Sequence, residues 1–156
     1  MSTDLVAGRI VCIGSRLVAE DLVGPAVFDR LRTEALPPGI EIVDGGLRGL
    51  DLLPFFEGVR RVVLVDALRG YARPGEAVVL RAATLADLPG TPYDHAGGLA
   101  YLLKTLPNIL SSVPEILLVG IEIPADDTSL EHAAAMAVDV CCCDLDVAAI
   151  SRQGAA

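Results

Sequence analysis

Short apolar runs that stop at a glycine or an aspartate are the feature that most constrains how this sequence can fold. Arg61–Val65 is almost wholly apolar, as expected for a strand whose two sheet faces are both covered. Ala77–Leu80 follows the turn signal Arg73-Pro74-Gly75, which predicts an edge strand. The runs that predict strands are Arg9–Ile13, Ile40–Val43, Arg61–Val65, Ala77–Leu80 and Glu115–Ile121.

The segments between these runs carry apolar residues at helical spacing. They predict helices at Asp21–Leu36, Leu47–Phe56, Ala96–Leu106 and Thr128–Ala149. Alternating strands and helices predict an α/β fold, a three-layer sandwich in which a five-stranded, mostly parallel, twisted sheet has helices on both faces. A length of 156 residues suits one domain, and we expect residues 1–150 to form it and residues 151–156 to be a frayed tail.

The charge and the apolar pattern exclude several classes of partner. The net charge is −9, and only Lys104 and Arg152 are positive beyond Arg81. Such an acidic surface repels phosphate, so we expect neither nucleic acid nor an anionic membrane as a partner. No stretch approaches the roughly 20 apolar residues of a membrane-spanning helix, and no signal peptide is visible at the start.

The four cysteines, Cys12 and the run Cys141, Cys142 and Cys143, do not form a disulfide framework by their spacing. Zinc sites use spaced pairs of ligands, which are missing here. We therefore expect reduced thiols in a cytoplasmic protein.

Ligands of α/β sheets bind beyond the carboxyl ends of the strands, which selects the loops after Ile13, Val43 and Val65. Neither G-x-G-x-x-G nor G-x-x-x-x-G-K-[ST] is present, so a nucleotide site is not indicated. The first loop instead carries Glu20 and Asp21, which either cap a helix or act on a ligand. Asp66 directly follows the central strand and has the same two interpretations.

Asp44 ends the second predicted strand, and the glycines after it favour a structural role. His95 begins a predicted helix. Asp21, Asp66 and His95 come from separate loops that the fold can bring to one edge, where two carboxylates and an imidazole would suit a divalent transition metal. A serine site from Ser15, His95 and Asp66 is disfavoured, since G-x-S-x-G is absent. Cys12 lies within a strand, where a thiol is usually inert.

Four segments together resemble a known family, the hydrogenase maturation endopeptidases, which remove the C-terminal extension of the large subunit of nickel–iron hydrogenases. The order and spacing of the segments agree with the family pattern. Cys12, Ser15 and Leu22 depart from it in the first loop. The matching segments are Ile13–Gly24, Asp44–Leu50, Val63–Ala67 with its V-D-A, and Asp94–Leu99.

The resemblance implies that Asp21, Asp66 and His95 are both the metal-contacting and the catalytic residues. It implies that nickel arrives already bound to the large-subunit precursor, with no resident cofactor. Independently of the resemblance, we expect a monomer or weak oligomer. Either the metal or a carboxylate such as Asp21 would then activate water. A nickel-binding or hydrogenase-docking chaperone of the same fold, and a flavodoxin-like ligand-binding domain, are the alternatives.

Overall fold

The structure, a computed structural model, describes residues 6–46, 50–81 and 99–142. Its strands are β1 (Val6–Ile13), β2 (Ile40–Gly46), β3 (Val59–Leu68), β4 (Ala77–Arg81) and β5 (Glu115–Glu122). Its helices are α1 (Val23–Leu31), α2 (Leu99–Ile109) and α3 (Asp127–Cys142), with 3-10 segments at Ala19–Asp21 and Leu50–Phe56. No helix in these ranges is both long and apolar enough to cross a bilayer.

The strands form one sheet in the order β2-β1-β3-β5-β4. All neighbouring pairs are parallel except β4 and β5, which are antiparallel. The predicted α/β fold with a mostly parallel five-stranded sheet is confirmed, and so is the edge position of β4.

Side chains on both faces of the sheet are buried, which makes the three predicted layers. In β3, Val63 and Val65 belong to the core cluster that includes Val27 of α1 and Ala137 of α3. Leu64 and Leu68 belong to the opposite cluster, which holds Leu102 and Leu106 of α2 together with Leu52 and Phe56. The apolar run in β3 is therefore explained by burial on both sides.

The predicted break of the second strand at Asp44–Gly46 is wrong, because β2 continues through these residues. Cys12 pairs with Asp44 and Ile13 pairs with Gly46, so the ladder skips Gly45 as a bulge. A side chain at Gly45 would come within 2.9 Å of Val11, and Gly46 has a φ of 59°. The glycines let the strand continue rather than ending it.

Helix α1 is shorter than the predicted Asp21–Leu36 at both ends. Pro25 lies in its first turn, where a missing N–H costs little. Beyond Leu31 the Thr33 hydroxyl donates to the Arg30 carbonyl at 2.9 Å, and this local bond competes with further helix. The predicted start of the third helix at Ala96, the end of the last helix beyond Cys142 and the frayed tail lie outside the described residues.

The strand order creates a crevice between β1 and β3. From β1 the chain continues to β2 on one side of β1. The next strand, β3, lies on the opposite side of β1, and the sheet then continues away from it through β5. Such a reversal separates the loops at the carboxyl ends of the two strands and is the usual ligand site of this architecture. The 3-10 segment that carries Asp21 contacts β3, the strand that carries Asp66, at this point.

Candidate active site

Two glycines hold the Asp21 loop against the end of β1. A Cβ at Gly14 would overlap the carbonyl oxygen of Asp21 and lie 2.8 Å from the ring of Pro25. A Cβ at Gly24 would overlap the backbone of Ile13. The glycines thus permit a backbone approach that any side chain would block, and this approach fixes the position of Asp21.

Asp21 ends the 3-10 turn Ala19–Asp21 and is half-buried. The N-cap residue of α1 is Leu22, and no side chain caps that helix or the 3-10 turn. Glu20 instead forms an ion pair with Arg69, and no residue in the described part of the chain pairs with the Asp21 carboxylate. The capping interpretation of the acidic pair therefore does not apply to Asp21.

Asp66 lies inside β3 rather than after it, because the strand runs on to Leu68. Its residue is 8% exposed, and one carboxyl oxygen accepts the Ala67 N–H at 2.8 Å. Burial, together with the negative charge of Asp21, raises the pKa of Asp66 from 3.8 to about 8. No basic side chain among the described residues pairs with it, so the charged form is poorly compensated.

The charge of Asp21 contributes to the raised pKa of Asp66, so the two carboxylates are near enough to interact electrostatically. His95 lies outside the described residues, so its position relative to them stays a prediction. Within residues 6–46, 50–81 and 99–142, no group of three metal-binding side chains is found. The two carboxylates fit part of a site for a divalent cation, since a cation would favour the ionised form that burial disfavours.

Arg16 braces the same loop and was missed by the sequence reasoning. Its guanidinium donates two hydrogen bonds to Asp29 of α1, at 2.8 and 2.9 Å, and one to Asp44 of β2, at 3.2 Å. This pairing holds the pKa of Asp29 below its usual value. Asp44 is therefore a structural partner of Arg16. The signal that would have found Arg16 is an arginine in a loop, with acidic residues in the helix and the strand that follow it.

The other nucleophile candidates have structural roles. The Ser15 hydroxyl accepts the Leu17 N–H at 3.1 Å and closes a local turn. Cys12 is fully buried, and burial together with the charges of Asp44 and Asp29 raises the pKa of its thiol to about 12. A thiol that stays protonated is a poor nucleophile, as the strand position of Cys12 predicts.

Glu122 is a buried acidic residue that the sequence reasoning also missed. It ends β5, is 4% exposed and accepts hydrogen bonds from the N–H groups of Gly70, Tyr71 and Ala72. These bonds anchor the segment after β3 to the end of β5. The signal in the sequence is an acidic residue that closes a long apolar run, the same signal that marks Asp66.

The fold and the acidic pair place this chain among the α/β proteins that bind ligands at the carboxyl ends of a mostly parallel sheet. Comparison with known proteins narrows the class: residues 25–142 match the family model described as hydrogenase maturation protease. The chain therefore belongs to the hydrogenase maturation protease family. The match includes Asp66 and His95 and begins after Asp21.

Individual relatives agree with this family. The hydrogenase expression/formation protein HupD of Rhodobacter capsulatus is 36% identical over 73 residues, which span 46% of this chain and 35% of that relative. The structure of the hydrogenase maturating endopeptidase HybD from E. coli covers 95% of this chain and 94% of its own, at 23% identity and a TM-score of 0.68. The [NiFe] hydrogenase maturation protease HybD from Thermococcus kodakarensis covers 86% and 95%, at 18% identity and a TM-score of 0.62. At these identities the solved structures support the fold.

Proposed function

We propose that this chain is an endopeptidase that removes the C-terminal extension of a nickel-loaded [NiFe] hydrogenase large-subunit precursor. The single observation that carries the proposal is the acidic pair at the crevice, with Asp66 buried and uncompensated by any described cation. A protein does not keep a carboxyl group in such a place for stability, because the ionised form costs free energy there. Family membership supplies the substrate class.

Nickel enters this scheme as cargo of the substrate. The proposed contacts are the carboxylates of Asp21 and Asp66 and the imidazole of His95, donors that suit a divalent transition metal. A precursor without nickel would offer no cation to the two carboxylates, so it would bind weakly. The cargo thus gates the cleavage, and the protease needs no metal of its own.

The two acids are suited to different tasks. Asp66 has a raised pKa of about 8, so it holds a proton near neutral pH until a cation arrives and displaces that proton. Asp21 is half-buried and has no partner in the described part of the chain, which leaves it accessible to a water molecule as a general base. Polarisation of the scissile carbonyl by the nickel would serve the same step.

We place the reaction in the cytoplasm and expect a monomer or weak oligomer. Cys12 and Cys141 are both buried thiols that form no disulfide, as a reducing compartment permits. The net charge of −9 fits a protein partner better than nucleic acid or an anionic membrane.

The test is incubation of the purified chain with its nickel-loaded precursor, followed by the mass of the large subunit. We expect the wild-type chain to remove the extension, and Asp21→Asn, Asp66→Asn and His95→Ala to remain folded and lose at least about 100-fold in rate. Asp44→Asn is the matched control, because its carboxylate lies in β2, a neighbouring strand, and pairs with Arg16. An unchanged precursor mass with the wild-type chain would instead indicate a docking chaperone, and normal rates in all three variants would remove these residues from the site.

A further inference from the structure

A cavity of about 730 Å³ opens beside the acidic pair. It lies between the start of α1 and the segments that follow β3 and β5. Most of its wall is apolar, and the ion pair between Glu20 and Arg69 lies on its edge. The apolar wall residues are Leu22, Val23, Ala26, Ile123, Ala125 and Leu130.

The cavity lies next to the segments that carry the two described acids of the proposed active site. Glu20 and Leu22, the two chain neighbours of Asp21, both line it. Arg69, three residues beyond Asp66, lines it as well. An extended polypeptide advances about 3.3–3.6 Å per residue, so a peptide that reacts at Asp21 places a side chain here within two residues of the reacting bond.

The wall formed by the segment after β3 is held in place before any ligand binds. The Glu122 carboxylate accepts the N–H groups of Gly70, Tyr71 and Ala72, and the Gly75 N–H donates to the Glu122 carbonyl at 2.8 Å. A buried carboxylate that receives three backbone N–H groups is a strong local anchor. The cavity is therefore preformed, as small-ligand and side-chain pockets usually are.

The surface around the cavity favours a polypeptide as the occupant. Leu17 is 95% exposed, and Val18, Leu22 and Tyr71 are also exposed in the two segments that frame the opening. A cluster of exposed apolar side chains beside a site is typical of contact with another protein. A small ligand would leave these side chains in water, whereas a protein substrate that enters the site would cover them.

We propose that this cavity binds an aliphatic or aromatic side chain of the precursor, located within two residues of the bond that is cut. The inference rests on the proposed function and adds a specificity pocket to it. The precursor would be recognised twice, by its metal at the acidic pair and by an apolar side chain in the cavity. Ala26 of α1 and Ala125, in the connection between β5 and α3, are small residues on two sides of the pocket wall.

The experiment combines protease variants that fill the cavity with precursor variants. Ala26→Leu fills it from α1 and Ala125→Leu from the connection after β5, and Ala35→Leu adds the same side chain at an exposed position after α1. Each residue within two positions of the cut is changed to Ala in the nickel-loaded precursor. Values of kcat/KM are measured by mass, and thermal unfolding checks that each variant is folded.

We expect one precursor position at which Ala lowers kcat/KM of the wild-type chain roughly 10- to 100-fold. The cavity-filling variants should show a similar loss on the native precursor and little further loss on that Ala precursor, while Ala35→Leu resembles the wild-type chain. Equal processing of all precursors by the filled variants would overturn the inference, and so would a change in self-association alone, which would assign the cavity to a second copy. If the wild-type chain cleaves nothing, the proposed function itself fails.

Discussion

Asp66 is retained at a cost to stability, and the cost depends on pH. Its pKa rises from 3.8 to about 8 on folding. Between about pH 4 and 8 the unfolded chain has therefore lost this proton, whereas the folded chain keeps it. The free energy of unfolding therefore falls as pH rises through that range. Asp66→Asn cannot ionise, so we expect it to match the wild-type chain near pH 4 and to exceed it increasingly above that, by up to about 1.4 kcal/mol per pH unit as far as pH 8.

The measurement is urea unfolding of both proteins from pH 5 to pH 8 in the presence of a chelator. Their difference in stability should grow with pH, since the other titrating groups are shared. A difference that is constant across the range would show that Asp66 keeps an ordinary pKa. A variant that is stabler yet does not process the precursor would separate the role of this carboxyl group from stability.

For single residues, the sequence predicted which residues are candidates for the site better than it predicted the structure around them. An aspartate after an apolar run marked Asp66 from local pattern alone. Its place inside the strand could not be predicted, because β3 extends to Leu68 through pairing with Glu122, a residue far along the chain. Asp21 stayed ambiguous between cap and ligand, because the answer depends on α1 beginning at Val23 instead of Asp21.

The 3-10 turn that carries Asp21 depends on glycine contacts at the end of β1. Gly14→Ala would put a methyl group onto the Asp21 carbonyl oxygen, so the turn has to move. We expect a loss of about 1–3 kcal/mol in stability and a much larger fractional loss of precursor processing than stability alone explains. The measurement pairs thermal unfolding with the mass assay under conditions where the variant is folded.

Gly58→Ala is the matched control for this change. Gly58 has a φ of 67° and open space around the added methyl, so the substitution costs only the left-handed backbone conformation, about 1 kcal/mol. We expect it to destabilise without affecting processing of the folded fraction. Equal processing by both glycine variants would mean that the close approach does not position Asp21.

The elements were predicted well where the apolar pattern was local and less well where tertiary contacts set their ends. The strand at Arg61–Val65 and the edge strand at Ala77 were evident from pattern and turn signals. The bulge at Gly45 was interpreted as a break, because only pairing with Cys12 and Ile13 shows that the strand continues. Anchors such as Arg16 and Glu122 join segments distant in sequence, so the local pattern around them does not show which groups they bind.

The whole molecule is held by apolar contacts on both faces of β3 and β5. Leu117 is 1% exposed and packs in the cluster with α1 and α3. We expect Leu117→Ala to lower the free energy of unfolding by about 2–5 kcal/mol and to leave processing per folded molecule unchanged. Denaturant unfolding measures the first effect, with the exposed Leu17→Ala expected within about 0.5 kcal/mol of the wild-type chain. A smaller loss at Leu117 would indicate a core that collapses around the gap.

The order of the strands also governs how the molecule assembles. The central strand β3 gains its second neighbour only when β5 arrives, and paired residues such as Arg61 and Glu115 are 54 positions apart. Closing so long a loop has an entropic cost that arises before any hydrogen bond between β3 and β5 can offset it. During synthesis one edge of β3 therefore stays unpaired until β5 is made, and the nascent chain exposes an apolar strand edge to the ribosome and its chaperones.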